Sequence, residues 1–112
     1  MDSLDATTHS TQLGLYVELH ALPGKAAEVA DFLRSALPLV EGEPGTVTWY
    51  ALQTGPERFA IFDTFRDDGD REAHLGGEVA KALMAQAEAL FAAPPQIHKV
   101  DVLAALGGLR QL

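Results

Sequence analysis

The chain has no cysteine. That absence excludes disulfides, thiolate nucleophiles, Cys-ligated zinc and iron–sulfur clusters. Positive charge is also scarce, with 8 Lys and Arg against 16 Asp and Glu, a formal net charge of −8 and a pI near 4.7. The few basic residues are scattered and form no stripe, so no nucleic-acid partner is expected, and the acidity reads as a device for solubility. No apolar run approaches the ~20 residues needed to cross a bilayer. The opening MDSLDATTHSTQ has neither the basic nor the apolar region of a signal peptide, so a cytoplasmic protein without membrane association is the expectation.

What is present is a balanced globular composition: 112 residues, 47% of them hydrophobic, with mean hydropathy +0.04. That length suits one domain. Its core would bury only roughly two-thirds of the surface an unfolded chain exposes, and leftover apolar faces would favour self-association.

The polar residues 1–12 read as an N-terminal tail, which sets His9 apart from any site. Residues 13–22 alternate with a period of two, the mark of a strand. Leu13, Leu15, Val17, Leu19 and Ala21 point to a core, and Tyr16, Glu18 and His20 point away from it. That second row reads either as a catalytic row or as the outward face of a sheet. Pro23-Gly24-Lys25 then starts a helix, in which Val29, Phe32, Leu33, Ala36, Leu37 and Val40 recur at helical spacing. Pro38 should kink or end it.

After the turn Glu43-Pro44-Gly45, residues 46–53 form a second strand. The connection Thr54-Gly55-Pro56-Glu57 leads into a third strand, Phe59 to Phe65, as an antiparallel hairpin. Trp49 and Tyr50 must face opposite sides, one of them toward any pocket shared with the third strand's aromatics. Asp67, Asp68 and Asp70 read as a solvated turn and helix N-cap. The second helix is expected to start near Asp70, carrying His74 close to its beginning. Gly76-Gly77 should interrupt it, at about 1 kcal/mol per glycine relative to Ala. It resumes through Val79, Leu83, Met84, Ala87, Leu90 and Phe91 until Pro94-Pro95, and residues 96–104 form the last strand.

The order βαββαβ predicts an α+β, ferredoxin-like sandwich over residues 13–104. A four-stranded antiparallel sheet would carry both helices on one face, with a C-terminal tail at 105–112. The open face would need cover, so a homodimer in which two sheets meet is expected.

The four histidines, His9, His20, His74 and His98, match no HxH, HxxxH or HExxH spacing, so no metal is expected. Ser3, Ser10 and Ser35 lie on no nucleophile elbow, and Gly76-Gly77 is no phosphate loop. What survives is a small aromatic-lined pocket with His74 as its imidazole, able to take a proton from a phenol or hydroquinone and so help form the anion that reacts with O2.

The order of elements, together with Pro23-Gly24, Glu43-Pro44-Gly45 and Glu72-Ala73-His74-Leu75, resembles the antibiotic biosynthesis monooxygenase family over about residues 13–104. The resemblance implies a dimeric α+β barrel whose pocket lies between sheet and helices. It also implies oxidation of a small phenolic or quinol compound by O2 with no metal or other cofactor. On that reading His74 is the catalytic base, Asp63 stands where quinol-oxidising members often have Glu, and Phe65 where they often have Trp. The haem-degrading branch has Asn, Trp and His where this chain has Val17, His74 and Met84, and the chain contains no asparagine, so haem degradation is disfavoured. Trp49, Phe62, Asp63, Phe65, Val17 and Met84 make up the expected substrate pocket. A non-enzymatic dimer that binds a small molecule is the competing expectation.

Overall fold

A computed structural model describes residues 12–107, so most of the expected N-terminal tail, His9 and the last five residues lie outside it. The elements are β1 (Gln12–His20), α1 (Ala26–Glu41), β2 (Thr46–Gly55), β3 (Arg58–Phe65), α2 (Asp68–Leu75), α3 (Glu78–Leu90) and β4 (Gln96–Val102). The four strands form one antiparallel sheet in the order β2-β3-β1-β4. This is the ferredoxin-like α+β fold that the element order predicts.

The two central strands carry the core because both of their neighbours are strands. Val17 and Leu19 of β1, Ala21 just beyond it, and Phe59 and Ile61 of β3 are buried against Val29 and Leu33 of α1 and Leu83 and Leu90 of α3. A smaller cluster of Ala36, Val40 and Val79 joins the C-terminal half of α1 to the start of α3. Trp49 packs against both clusters. At roughly 1.5–3 kcal/mol per fully buried large apolar side chain, these faces supply the main driving force for folding.

Register fixes which aromatics share a face. Tyr16 lies between Phe62 of β3 and His98 of β4, and Phe62 in turn faces Tyr50 of β2. All four are on the side of the sheet away from the helices. There Glu18 meets His98 at 3.0 Å, and the Tyr16 and His98 rings lie 6.4 Å apart. Trp49, opposite Asp63, faces the helices.

Several boundaries differ from the sequence reading. Helix α1 runs through Pro38 to Glu41. Pro38 removes the hydrogen bond to the Arg34 carbonyl, but both residues are exposed, so that loss falls on the solvent side of the helix, and the buried Val40 holds the last turn in place. The hairpin turn is tighter than expected, with β2 reaching Gly55 and β3 starting at Arg58. Phe91, expected on the helix face, ends α3 instead. Its extended backbone bridges to Ala21, and its ring is buried in the core.

Candidate active site

The site is built where the C-terminus of α1, the turn after it and the α2–α3 junction converge on β3. Beyond α1 the chain keeps turning, with the N–H of Glu43 donating to the Val40 carbonyl at 2.9 Å, which brings the Glu43 side chain back toward the sheet. Gly45 is required at this turn: a Cβ there would lie 2.6 Å from the Asp70 carboxyl, so the turn can approach α2 only without a side chain.

Helix α2 starts earlier than its sequence suggests because Asp67 caps it. Its carboxylate accepts from the Asp70 N–H at 2.9 Å, and Asp68 and Asp70 sit in the favourable first turn. The helix ends at Gly76-Gly77, so it is only 8 residues long. His74 therefore belongs to its last turn, not to its first, and at a helix C-terminus the carbonyl dipoles favour a protonated ring. Arg71, one turn earlier, pins α2 to the sheet. Its Nη1 donates to the Gly14 carbonyl at 3.3 Å, and its Nη2 pairs with Asp68 at 3.1 Å.

His74 is held between two carboxylates. Its Nδ1 lies 2.5 Å from Glu43 Oε1, and its Nε2 lies 3.0 Å from Asp63 Oδ2, off the line of a well-formed hydrogen bond. Asp63 is 1% exposed and His74 8%. Glu43 Oε1 also accepts from the Thr46 hydroxyl at 2.7 Å, whereas Oε2 is buried beside Gly77 with no partner. The Phe65 ring lies 5.2 Å from the imidazole. Since the two carboxylates meet opposite edges of the ring, they do not converge on one point as metal ligands do.

Burial is the strongest influence on Asp63 and pushes its carboxyl above the usual range; His74 opposes the rise and Glu43 adds to it. Burial alone would favour a neutral His74. The two carboxylates together outweigh it, so the imidazole is raised above its ordinary value. The array thus favours the protonated form of the imidazole.

The array opens on a cleft of about 510 Å³ lined by Pro38, Leu39, Glu43, Thr46, Ala73 and His74, among others. Of the residues expected at a pocket, Asp63 and Phe65 touch His74, and Trp49 lies opposite Asp63 on the same face of the sheet. The other three lie elsewhere. Phe62 is on the far face of the sheet, because residue 62 alternates with 61 and 63. Val17 is packed in the core, and Met84, 53% exposed, lines a separate groove with Leu75, Leu83 and Ile97. Glu43 and Thr46 were missed as site residues. Glu43 was legible only as part of a turn, and nothing in the local pattern says that it meets a histidine 31 positions away.

A protein of unknown function from Nitrosomonas europaea has a solved structure that superposes with a TM-score of 0.85 at 53% identity, covering 88% of this chain and 95% of that one. A Pseudomonas aeruginosa protein superposes with a TM-score of 0.73 at 26% identity, over 86% of this chain and 98% of the other. A candidate antibiotic biosynthesis monooxygenase from Caulobacter crescentus shares the fold, with a TM-score of 0.71 at 21% identity, over 86% and 93% of the two chains. No curated protein sequence matches at a significant level. The family model for antibiotic biosynthesis monooxygenases matches residues 13–86, which hold α1, the Glu43 turn, β3 and all three members of the array, and the chain belongs to that family.

Proposed function

We propose that this protein is a cofactor-independent monooxygenase that oxidises a small phenolic or quinol compound with O2. The observation that carries the reading is the buried Glu43–His74–Asp63 array at the wall of a cleft of about 510 Å³, large enough for a one- or two-ring ligand. In this scheme the ligand's hydroxyl gives up its proton to the array, and the electron-rich anion supplies the electrons that reduce O2. Pro38, Leu39 and Ala73 give the cleft its apolar walls. His74 holds its two carboxylates in place from opposite edges of the ring.

The test is O2 uptake with a panel of hydroquinones in metal-free buffer. Uptake by the wild type that His74→Ala abolishes supports the proposal. Equally slow uptake by both removes His74 from the chemistry.

The competing reading, a module that binds a small aromatic molecule and releases it unchanged, gains from the same geometry, since both nitrogens of His74 already face carboxylates. Recovery of the ligand after aerobic incubation separates the two: an oxidised product favours the enzyme, and quantitative return favours the binder.

We further propose that the functional unit is a homodimer joined through the open sheet face. Tyr50 and Leu52 are exposed on that face, and Leu103 and Leu106 are exposed just beyond β4. Members of this family are typically dimeric.

A further inference from the structure

The three helices are not held to the sheet in the same way. Helices α1 and α3 dock through buried apolar side chains, Val29, Leu33, Ala36 and Val40 on the first and Val79, Leu83 and Leu90 on the second. Helix α2 buries only Arg71 and His74, contributes nothing to either apolar cluster, and leaves Leu75 half-buried. Its attachments are polar. Arg71 Nη1 donates to the Gly14 carbonyl of β1 at 3.3 Å and approaches that of Val100 in β4 at 3.5 Å. His74 meets Asp63 of β3 and Glu43 of the turn, and Lys99 of β4 donates to Glu72 at 2.6 Å.

Polar attachments of this kind exchange against water almost evenly, whereas buried apolar surface has no substitute in water. Separating the partners of an ion pair into water, unlike deleting one of them, strands no charge. The seam beneath α2 is also incompletely bonded. Among the described residues, five buried side-chain polar atoms have no partner in the protein. Four of them lie on groups in this seam: Glu43 Oε2, both carboxyl oxygens of Asp63, and Arg71 Nε. Water admitted by lifting α2 can hydrate all four, which offsets the bonds that lifting breaks.

Both ends of α2 suit a hinge. Arg66 and Asp67 before it are exposed, and Gly76-Gly77 follows it. A Cβ at residue 77 would crowd the docked form, at 3.2 Å from Glu43 Oε2 and 3.3 Å from the Ala73 and His74 carbonyls. We propose that α2 is a hinged flap that swings off the sheet between Asp67 and Gly77 and opens the route to the buried Glu43–His74–Asp63 array. Asp70, Ala73 and His74 belong to the wall of the cleft, so the same motion widens it. A ligand thereby reaches groups that the docked helix covers. This inference goes beyond the proposed activity and applies to an enzyme and to a binder alike.

Native-state amide hydrogen exchange of the intact chain is the first test. The amides of α2 should exchange at least about 100-fold faster than the buried amides of α1, α3 and β1. Arg71→Met keeps much of the bulk and removes the bonds to the sheet. It should speed α2 by a further factor of about ten while α1 and α3 stay unchanged. Exchange of α2 in step with α1 and α3 would overturn the proposal, and so would an Arg71→Met that speeds all three equally. A second probe separates lifting of the helix from fraying of its turns. Gly45→Cys/Asp70→Cys removes the carboxyl that crowds residue 45 and sets two Cβ atoms 2.9 Å apart before relaxation, near the ~3.5–4.5 Å of a disulfide. The chain has no other cysteine, so oxidation ties α2 to the turn. Deuterium uptake at the His74 ring carbon between the two nitrogens, followed by mass spectrometry, should slow at least about tenfold on oxidation and recover on reduction. Equal uptake in the oxidised and reduced forms would overturn the flap. Neither measurement uses a ligand or oxygen, so its failure leaves the oxygenase reading standing, and a failure of O2 uptake leaves the flap standing.

Discussion

Removing the imidazole of His74 should expose how the array is held together. In His74→Ala, Asp63 keeps its place at 1% exposure but loses the cation paired with it, and among the described residues Glu43 retains the Thr46 hydroxyl as its partner. Stranding one member of a buried ion pair costs about 3–5 kcal/mol. A domain of this size is stable by only about 5–15 kcal/mol, so the loss is a large fraction of the total. With a urea dependence of about 1–3 kcal/mol/M, the unfolding midpoint at pH 7 should fall by on the order of 1–5 M. The deficit should shrink on acidification, because a protonated Asp63 no longer needs a cation. The double variant His74→Ala/Asp63→Asn carries no stranded charge at residue 63 and should recover most of the loss. Urea titrations of the three proteins at pH 7 and near pH 5 measure both effects. A loss below about 1 kcal/mol at pH 7, or no recovery in the double variant, would show that burial of Asp63 does not depend on His74.

Stability should also depend on pH in a set direction. His74 is raised on folding, so its contribution is complete below pH 6.5 and is lost as pH rises from there through the folded value. Asp63 is also raised, so its ionisation works against folding as pH climbs above 3.8. Thermal melts across pH 5–9 should therefore fall toward the alkaline end, and in His74→Gln the slope above pH 6.5 should flatten; an unchanged slope would remove His74 as its source. Pro38→Ala restores a missing helix hydrogen bond at an exposed position and should stabilise by about 1 kcal/mol, less than the full interior penalty because Pro38 sits near the helix end. A lower melting temperature would mean that Pro38 contributes packing not evident from its exposure. Light scattering should find a dimer, and Tyr50→Glu should weaken it; a monodisperse species of 12.0 kDa would refute the sheet-to-sheet assembly.

The strands were legible because alternation is a local property. Val17 and Leu19 face the core and Tyr16 and Glu18 face away from it, as a period of two requires. The same rule put Trp49 and Tyr50 on opposite faces, but only the pairing with β3 decided that Trp49 is the inward one. Phe62 was misplaced for the converse reason. Its aromatic character suggested a pocket, while its parity with Ala60 and Thr64 commits it to the open face. The start of α2 was missed by two residues because Asp67, the first acid of a run, is the one whose side chain turns back to cap.

Composition and pattern alone determined the acidity, the βαββαβ order, the glycine break at 76–77 and the presence of a histidine next to it. These follow from local periodicity, turn chemistry and counts of residue types. What His74 does was decided only by the tertiary structure. Its protonation depends on Glu43, 31 positions before it, and on Asp63, 11 before it, and charges act across space regardless of sequence separation. Read along the chain, His74 is a lone base; folded, it is held between two acids that favour its protonation, one of which lines the cleft.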